Sequence, residues 1–169
     1  MSLSLYDASI PALALGLRNL DVILDKAIAF AAAKKIDESV MADARLIVDM
    51  FPLKRQVQIA CDNAKGAAAR LAGIEVPKHE DTETTLADLK VRIAKTLAVV
   101  ESASAEAIAA ASGREIVITY PSLTLKFTAE DYITKFVLPN FYFHVTATYA
   151  ILRMNGVDVG KGDYLGAIQ

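Results

Sequence analysis

The chain is poor in the residues that carry chemistry on their own. Among its 169 residues it holds one cysteine, Cys61, two histidines, His79 and His144, and no tryptophan. A single cysteine excludes an intrachain disulfide, and the expected setting is a reducing, cytoplasmic one. An excess of charge of either sign is also missing: 18 Lys and Arg stand against 20 Asp and Glu, giving a formal net charge of −2 and a pI near 5.7. Nucleic acids and anionic membranes favour a clustered basic excess, so neither is expected as a partner. Asp, Lys or Arg interrupts every apolar stretch well before the roughly 18 residues that a membrane span needs. The opening Met-Ser-Leu-Ser-Leu-Tyr-Asp has no basic stretch ahead of an apolar run, so no signal peptide is expected.

What is present is a hydrophobic majority, 54%, against 22% charged residues, which marks a globular chain. The length suits one domain, 1–169, able to bury about two-thirds of its unfolded surface without a disulfide or a structural metal.

Helical periodicity dominates the pattern. Ile10, Leu13, Leu17, Leu20, Leu24, Ala27, Ile28 and Ala31 recur at steps of three and four, which predicts a helix over Ser4–Lys35 with Pro11 kinking or delaying its start. Asp37 is an N-cap candidate for a short helix to Ile47. Pro52 suits the first turn of a second long helix, Phe51–Ala72, which Gly73 stops. Its Ala60, Ala64, Ala67, Ala68 and Ala69 would let a neighbouring helix approach closely. A polar loop, Lys78–Thr84, precedes a third helix, Thr85–Glu101, whose Thr85 and Asp88 have capping-box spacing. Ala105–Ala111 reads as another short helical turn. The period then changes: Glu115–Tyr120 and Leu123–Lys126–Phe127, separated by Pro121-Ser122, carry a hairpin signal. The last helix is predicted over Ala129–Asn155, capped by Thr128 and closed by Gly156, with a kink at Pro139. Val157–Gln169 is glycine-rich and reads as a coil tail turning back across the bundle. Four long amphipathic helices point to an all-α bundle.

The last helix draws attention to chemistry. Residues three or four apart share a helical face, so Asn140, His144, Thr148 and Ile151 align beside an apolar stripe of Phe136, Phe143, Ala147, Ala150 and Met154. On the second long helix Gln58 and Asp62 share a face, a turn beyond Arg55. If the two helices pack, Gln58, Asp62, Asn140 and His144 could converge. A bound transition metal usually has three ligands of the His, Cys or carboxylate type. Here His144 and Asp62 qualify, whereas amides suit hard cations. The blander alternative is a core pair in which His144 and Asn140 satisfy each other. Cys61, flanked by alanines, reads as a small buried residue, and His79 as a solvated loop histidine.

The helix count and order, with His144, Leu152-Arg153 and Gly156 closing the last helix, resemble the DinB/YfiT-like superfamily of bacterial four-helix bundles. The stretches Met50-Phe51-Pro52-Leu53, Arg55–Ala60, Lys65-Gly66-Ala67, Glu80–Thr85, Leu138–Phe141, His144-Val145 and Asn155–Lys161 resemble one uncharacterised branch, the domain of unknown function family nineteen ninety-three, over essentially the whole chain. The resemblance implies an up-down bundle with a short hairpin before the last helix. In metal-binding members a histidine from the second helix and a His-x-x-x-His pair from the fourth hold zinc or nickel, and some members are thiol-dependent transferases or isomerases. Carried onto this sequence, His144 matches the second histidine of the pair. Asn140 stands at the first, and Gln58 stands where the second-helix histidine would be. One ligand of three is retained, which predicts a degenerate metal site and no cofactor.

Three readings of Gln58, Asn140 and His144, with Asp62 alongside, stay open. They could form a pocket for a polar small molecule, an inert polar cluster, or a divalent-metal site for a thiol-using transferase or hydrolase holding zinc or nickel through His144. The apolar content, the aromatic last helix and the resemblance together point to a homodimer.

Overall fold

The computed structural model describes residues 3–166. Met1 and Ser2, where a leader would begin, and 167–169, the end of the expected tail, lie outside the described residues. In chain order the elements are α1 Ile10–Lys34, α2 Glu38–Asp43, α3 Leu53–Ala72, α4 Leu86–Glu101, α5 Ala105–Ala109, β1 Glu115–Tyr120, β2 Leu123–Thr128, α6 Ala129–Asp131, a π-helical segment Tyr132–Val137, α7 Leu138–Met154 and α8 Lys161–Leu165. Four long helices, α1, α3, α4 and α7, make the bundle. The helix α3 packs against both α4 and α7, and α1 against α4 and α7, so α1 and α3 face each other mainly across the diagonal.

The caps follow from local chemistry. Pro11 sits in the first turn of α1, where its missing N–H costs nothing, and the helix begins at Ile10. The Asp37 carboxylate accepts from the Ser39 N–H to start α2, which ends at Asp43, earlier than the expected Ile47. Ala44 is extended there and its successors form turns. Gly73 closes α3 in the left-handed conformation, at φ 73°. At α4 the Thr85 hydroxyl accepts from the Asp88 N–H at 3.1 Å while the Asp88 carboxylate accepts from the Thr85 N–H at 2.9 Å, a complete capping box. The Thr84 and Thr85 N–H groups draw the Asp88 carboxyl down to about 2.

One contiguous core fills the space between the helices. The alanines of α3 at 60, 64, 67, 68 and 69 are all buried, which brings α4 and α7 close to its backbone. Gly16 of α1 performs the same service for α7: a Cβ at residue 16 would lie 2.5 Å from the Phe141 ring. The hairpin pairs Ile116 with Phe127 and Ile118 with Leu125. Those four side chains alternate with outward residues, and the two isoleucines are buried, so one face of the ribbon closes on the core. Phe127 then meets Tyr132 and Phe136 at centroid separations of 6.1 and 5.5 Å.

Three expectations are refined or corrected. Where a kink is expected at Pro139, a π-helical segment lies just upstream, and the Leu138 N–H donates to the Ile133 carbonyl five residues back. A wider turn shifts the hydrogen-bond register, so the chain passes a residue without a donor while staying helical. The tail is not coil throughout. Val157 and Val159 are buried, and α8 docks on α1: Asn19 Nδ2 donates to the Tyr164 carbonyl at 3.0 Å and Lys26 pairs with Asp163 at 2.7 Å. Finally, the apolar stripe of the last helix is split. Phe143 and Met154 are exposed, and Phe141 takes the core position, because the π-helical segment sets the phase of α7.

Candidate functional site

Polar side chains crowd two faces of α3. Toward α7 the groups are neutral. His144 Nδ1 lies 2.7 Å from Gln56 Oε1, and both residues are buried. Gln56 Nε2 donates to the Phe51 carbonyl at 3.0 Å. The amide nitrogen is thereby spent, so Oε1 accepts and Nδ1 carries the imidazole proton. Burial, aided by the nearby positive charge of Arg55, lowers the His144 pKa and favours neutral imidazole. A turn earlier Asn140 Nδ2 donates to Asn63 Oδ1 at 3.0 Å, and Asn63 Nδ2 donates to the Ile59 carbonyl at 2.9 Å. The Thr148 hydroxyl returns to the His144 carbonyl at 2.9 Å.

Toward α4 and the α3–α4 connection the groups are charged. Arg92 of α4, only 2% exposed, is the hub. Its Nη2 lies 2.9 Å from Asp62 Oδ1, and its Nη1 lies 3.0 Å from both Asp81 and Glu83 and donates to the Glu80 carbonyl at 3.2 Å. Lys65 joins Asp62 at 3.0 Å, and Arg55 pairs with Asp81. Gln58 belongs to this cluster: Nε2 donates to Glu83 Oε2 at 2.9 Å, and Oε1 accepts from Arg55 at 3.3 Å. A guanidinium with three carboxylates and a carbonyl is charge-assisted and nearly saturated. It ties the irregular segment 74–84 to the bundle.

The structure therefore does not bring Gln58, Asp62, Asn140 and His144 to one point. Gln58 and Asp62 answer Arg92, whereas Asn140 and His144 answer Asn63 and Gln56. The physical reason is helical phase: Gln58 and Asp62, four apart, share the face of α3 toward Arg92, while Gln56 and Asn63, seven apart, share the face toward α7. Arg92 and Gln56 are the residues that periodicity alone passed over. Arg92 falls three after Leu89 and four before Thr96, both buried, so helical phase already put it inside. Gln56 sits likewise between Leu53 and Ala60. Cys61 is wholly buried, and burial pushes its thiol up to about 12, which makes it an inert packing residue. His79, expected to be solvated, is half-buried beneath the Arg92 side, with Nδ1 buried and unpartnered.

Among the described residues no group of three or more His, Cys, Asp or Glu sits together as a metal set. The candidate donors fit zinc or nickel poorly. Gln58 Oε1 faces a guanidinium, the Asn140 amide is engaged with Asn63, and the Asp62 charge is met by Arg92 and Lys65. A cavity of about 420 Å³ opens beside Gln58, lined by Phe51, Pro52, Lys54, Arg55 and residues 81–84.

Residues 5–165 match the profile of the domain of unknown function DUF1993. The chain belongs to that family. This DUF1993 chain is also similar to a solved structure, the crystal structure of a DinB family member protein from Shewanella denitrificans. The two are 48% identical, the match covers 97% of this chain and 93% of the other, and the TM-score is 0.88. The DinB-like bundle is thereby shown for this DUF1993 member. No curated protein matches the sequence. Among the described residues no helix is long and apolar enough to cross a membrane.

Proposed function

We propose that this protein is a small-molecule-binding bundle with a degenerate metal site. The observation that carries the reading is the state of Gln58. At the position where the resemblance implies a histidine ligand, a 4%-exposed amide is held by Glu83 and Arg55 at the wall of a cavity of about 420 Å³. An amide supplies no basicity to lower the pKa of a bound water, but held by Glu83 and Arg55 it keeps a second N–H and a second oxygen lone pair with which to meet a polar ligand. Arg55 and Lys54 add positive charge at the rim, and Phe51 adds an apolar wall. Cavities of this size and mix are ordinary for small ligands.

The test is elemental analysis of purified, tag-free protein after incubation with zinc, nickel and manganese and desalting, followed by ligand-observed NMR against small polar molecules. The expected result is no retained metal, with at least one binder that Gln58→Leu abolishes. About one zinc or nickel per chain, lost in His144→Ala, would overturn this reading and establish the metal-dependent, thiol-using transferase or hydrolase instead.

The same reading includes a homodimer in a cytoplasmic, reducing setting. Leu46, Ile47, Val48 and Phe51 expose apolar side chains along one short segment, with Val48 88% exposed, and Phe143 adds another on α7. Patches of that kind mark association surfaces. Cys61, the single cysteine, is buried, in keeping with a reducing compartment.

A further inference from the structure

A second cavity, of about 400 Å³, lies between the connection from α3 and the outer side of α4. Lys78, His79, Glu83, Asp88, Arg92 and Lys95 are among its walls. It shares Thr82 and Glu83 with the Gln58 cavity but opens on the other side of segment 78–84.

Its hydrogen bonds do not balance. Every acidic side chain on the wall is already matched: Glu83 by Arg92 and Gln58, Asp88 by the N–H groups of Thr84 and Thr85, and Glu80 by Lys78 at 2.7 Å. The nitrogen groups are not. Arg92 Nε and His79 Nδ1 are buried with no partner, and Lys95 makes no ion pair among the described residues. Arg92 Nε is an obligate donor, since a guanidinium has no acceptor. A buried donor without a partner costs about 1–3 kcal/mol, more for a charged group, so buried polar atoms in native proteins are almost always satisfied. The missing element is an acceptor. Thr96 Oγ1, the third unpartnered atom, lies a turn further along α4 and off this cavity's wall.

We propose that this cavity binds a small oxyanion, the phosphate or carboxylate group of a metabolite, through Arg92 Nε, the His79 imidazole and Lys95. The anion accepts from Arg92 Nε and from His79 Nδ1–H and meets the ammonium of Lys95 at the rim. Segment 78–83, which has neither helix nor strand, supplies the outer wall of the cavity. Burial, with the positive charges of Lys65 and Arg92 beside it, holds the His79 pKa below the usual value. A bound anion offsets those charges and moves the imidazole titration upward.

His79 and His144 are the only histidines, so two imidazole signals report on two places. The experiment follows both by NMR while full-length protein is titrated with sodium phosphate or sodium acetate, against sodium chloride at matched ionic strength. The expected result is a saturable shift of His79 with phosphate or acetate, an upward move of its titration, and no change at His144. The tighter of the two anions names the ligand class. Lys95→Gln, at an exposed position that leaves the core untouched, should weaken binding about tenfold, the loss of one charge-assisted contact. An unresponsive His79, which would mean an ordered water only, would overturn the proposal. So would a response that chloride reproduces or that His144 shares. This outcome is independent of the Gln58 cavity, whose binders are scored by Gln58→Leu.

Discussion

The two faces of α3 solve the burial of polar groups in opposite ways. Facing α7, three amides and an imidazole pair off in neutral hydrogen bonds, and each amide nitrogen finds an oxygen. Facing α4, one arginine gathers Asp62, Asp81 and Glu83, and the cluster still leaves nitrogen donors unmatched. On the neutral face no buried side-chain nitrogen or oxygen is left without a partner among the described residues. The charged face borders two cavities and has hydrogen-bonding capacity to spare, so function is more reasonably sought there.

The comparison is broken most severely at Arg92. Removing the buried cation leaves Asp62, Asp81 and Glu83 without their common partner, and Arg92→Ala should lower the unfolding free energy by about 3 kcal/mol or more, read by urea denaturation. Arg92→Met tests whether charge or shape matters. It should recover part of the loss through packing yet leave segment 78–84 open to protease, because Asp81, Glu83 and the Glu80 carbonyl would lose the guanidinium that ties them to α4.

The neutral face is tested at His144. His144→Ala strands the Gln56 carbonyl and opens a small void, for an expected loss of about 2 kcal/mol. The pH profile then sharpens the contrast. Because the folded His144 pKa lies below its unfolded value, the unfolded chain binds more protons as pH falls. The stability contributed by the neutral imidazole is complete above about pH 6.5 and is lost as pH drops through that value toward the lowered folded pKa. Urea midpoints between pH 7.5 and 5 should therefore slope less in His144→Gln than in the parent. Equal slopes would remove His144 as the titrating group and leave His79, whose pKa is also lowered.

The smallest effect is expected at Asn140. Its bond to Asn63 is only part-buried, so Asn140→Ala should cost about 1 kcal/mol and leave ligand binding at the Gln58 cavity unchanged. A much larger loss would show that Asn140 does more than complete the neutral face.

Much of this molecule was legible from local chemistry. Proline at a first turn, a threonine three residues before an aspartate and a glycine after the last periodic residue each act within one helical turn. The ends of α1, α3 and α4 follow them. The hairpin was legible too, since the alternation of Ile116 and Ile118 is a property of consecutive residues. The candidate site was legible only in part. His144 was visible as a polar residue on a buried face, but its partner Gln56 stands 88 positions away, and nothing local distinguishes Gln56 from Gln58 as the one that reaches it. Arg92 was concealed for the opposite reason: arginine is read as a surface residue unless its helical phase is taken at face value.

The sequence by itself determined the four long helices, the apolar face of α1, the hairpin and the family, because each rests on short-range periodicity, capping or a run of shared residues. The tertiary structure alone decided which polar side chains of α3 turn toward α7 and which toward Arg92, that α8 folds back on α1, and that a π-helical segment carries the chain past Pro139. Those outcomes depend on how charges and volumes from distant segments compete for the same buried space, and that competition does not exist until the helices are packed together.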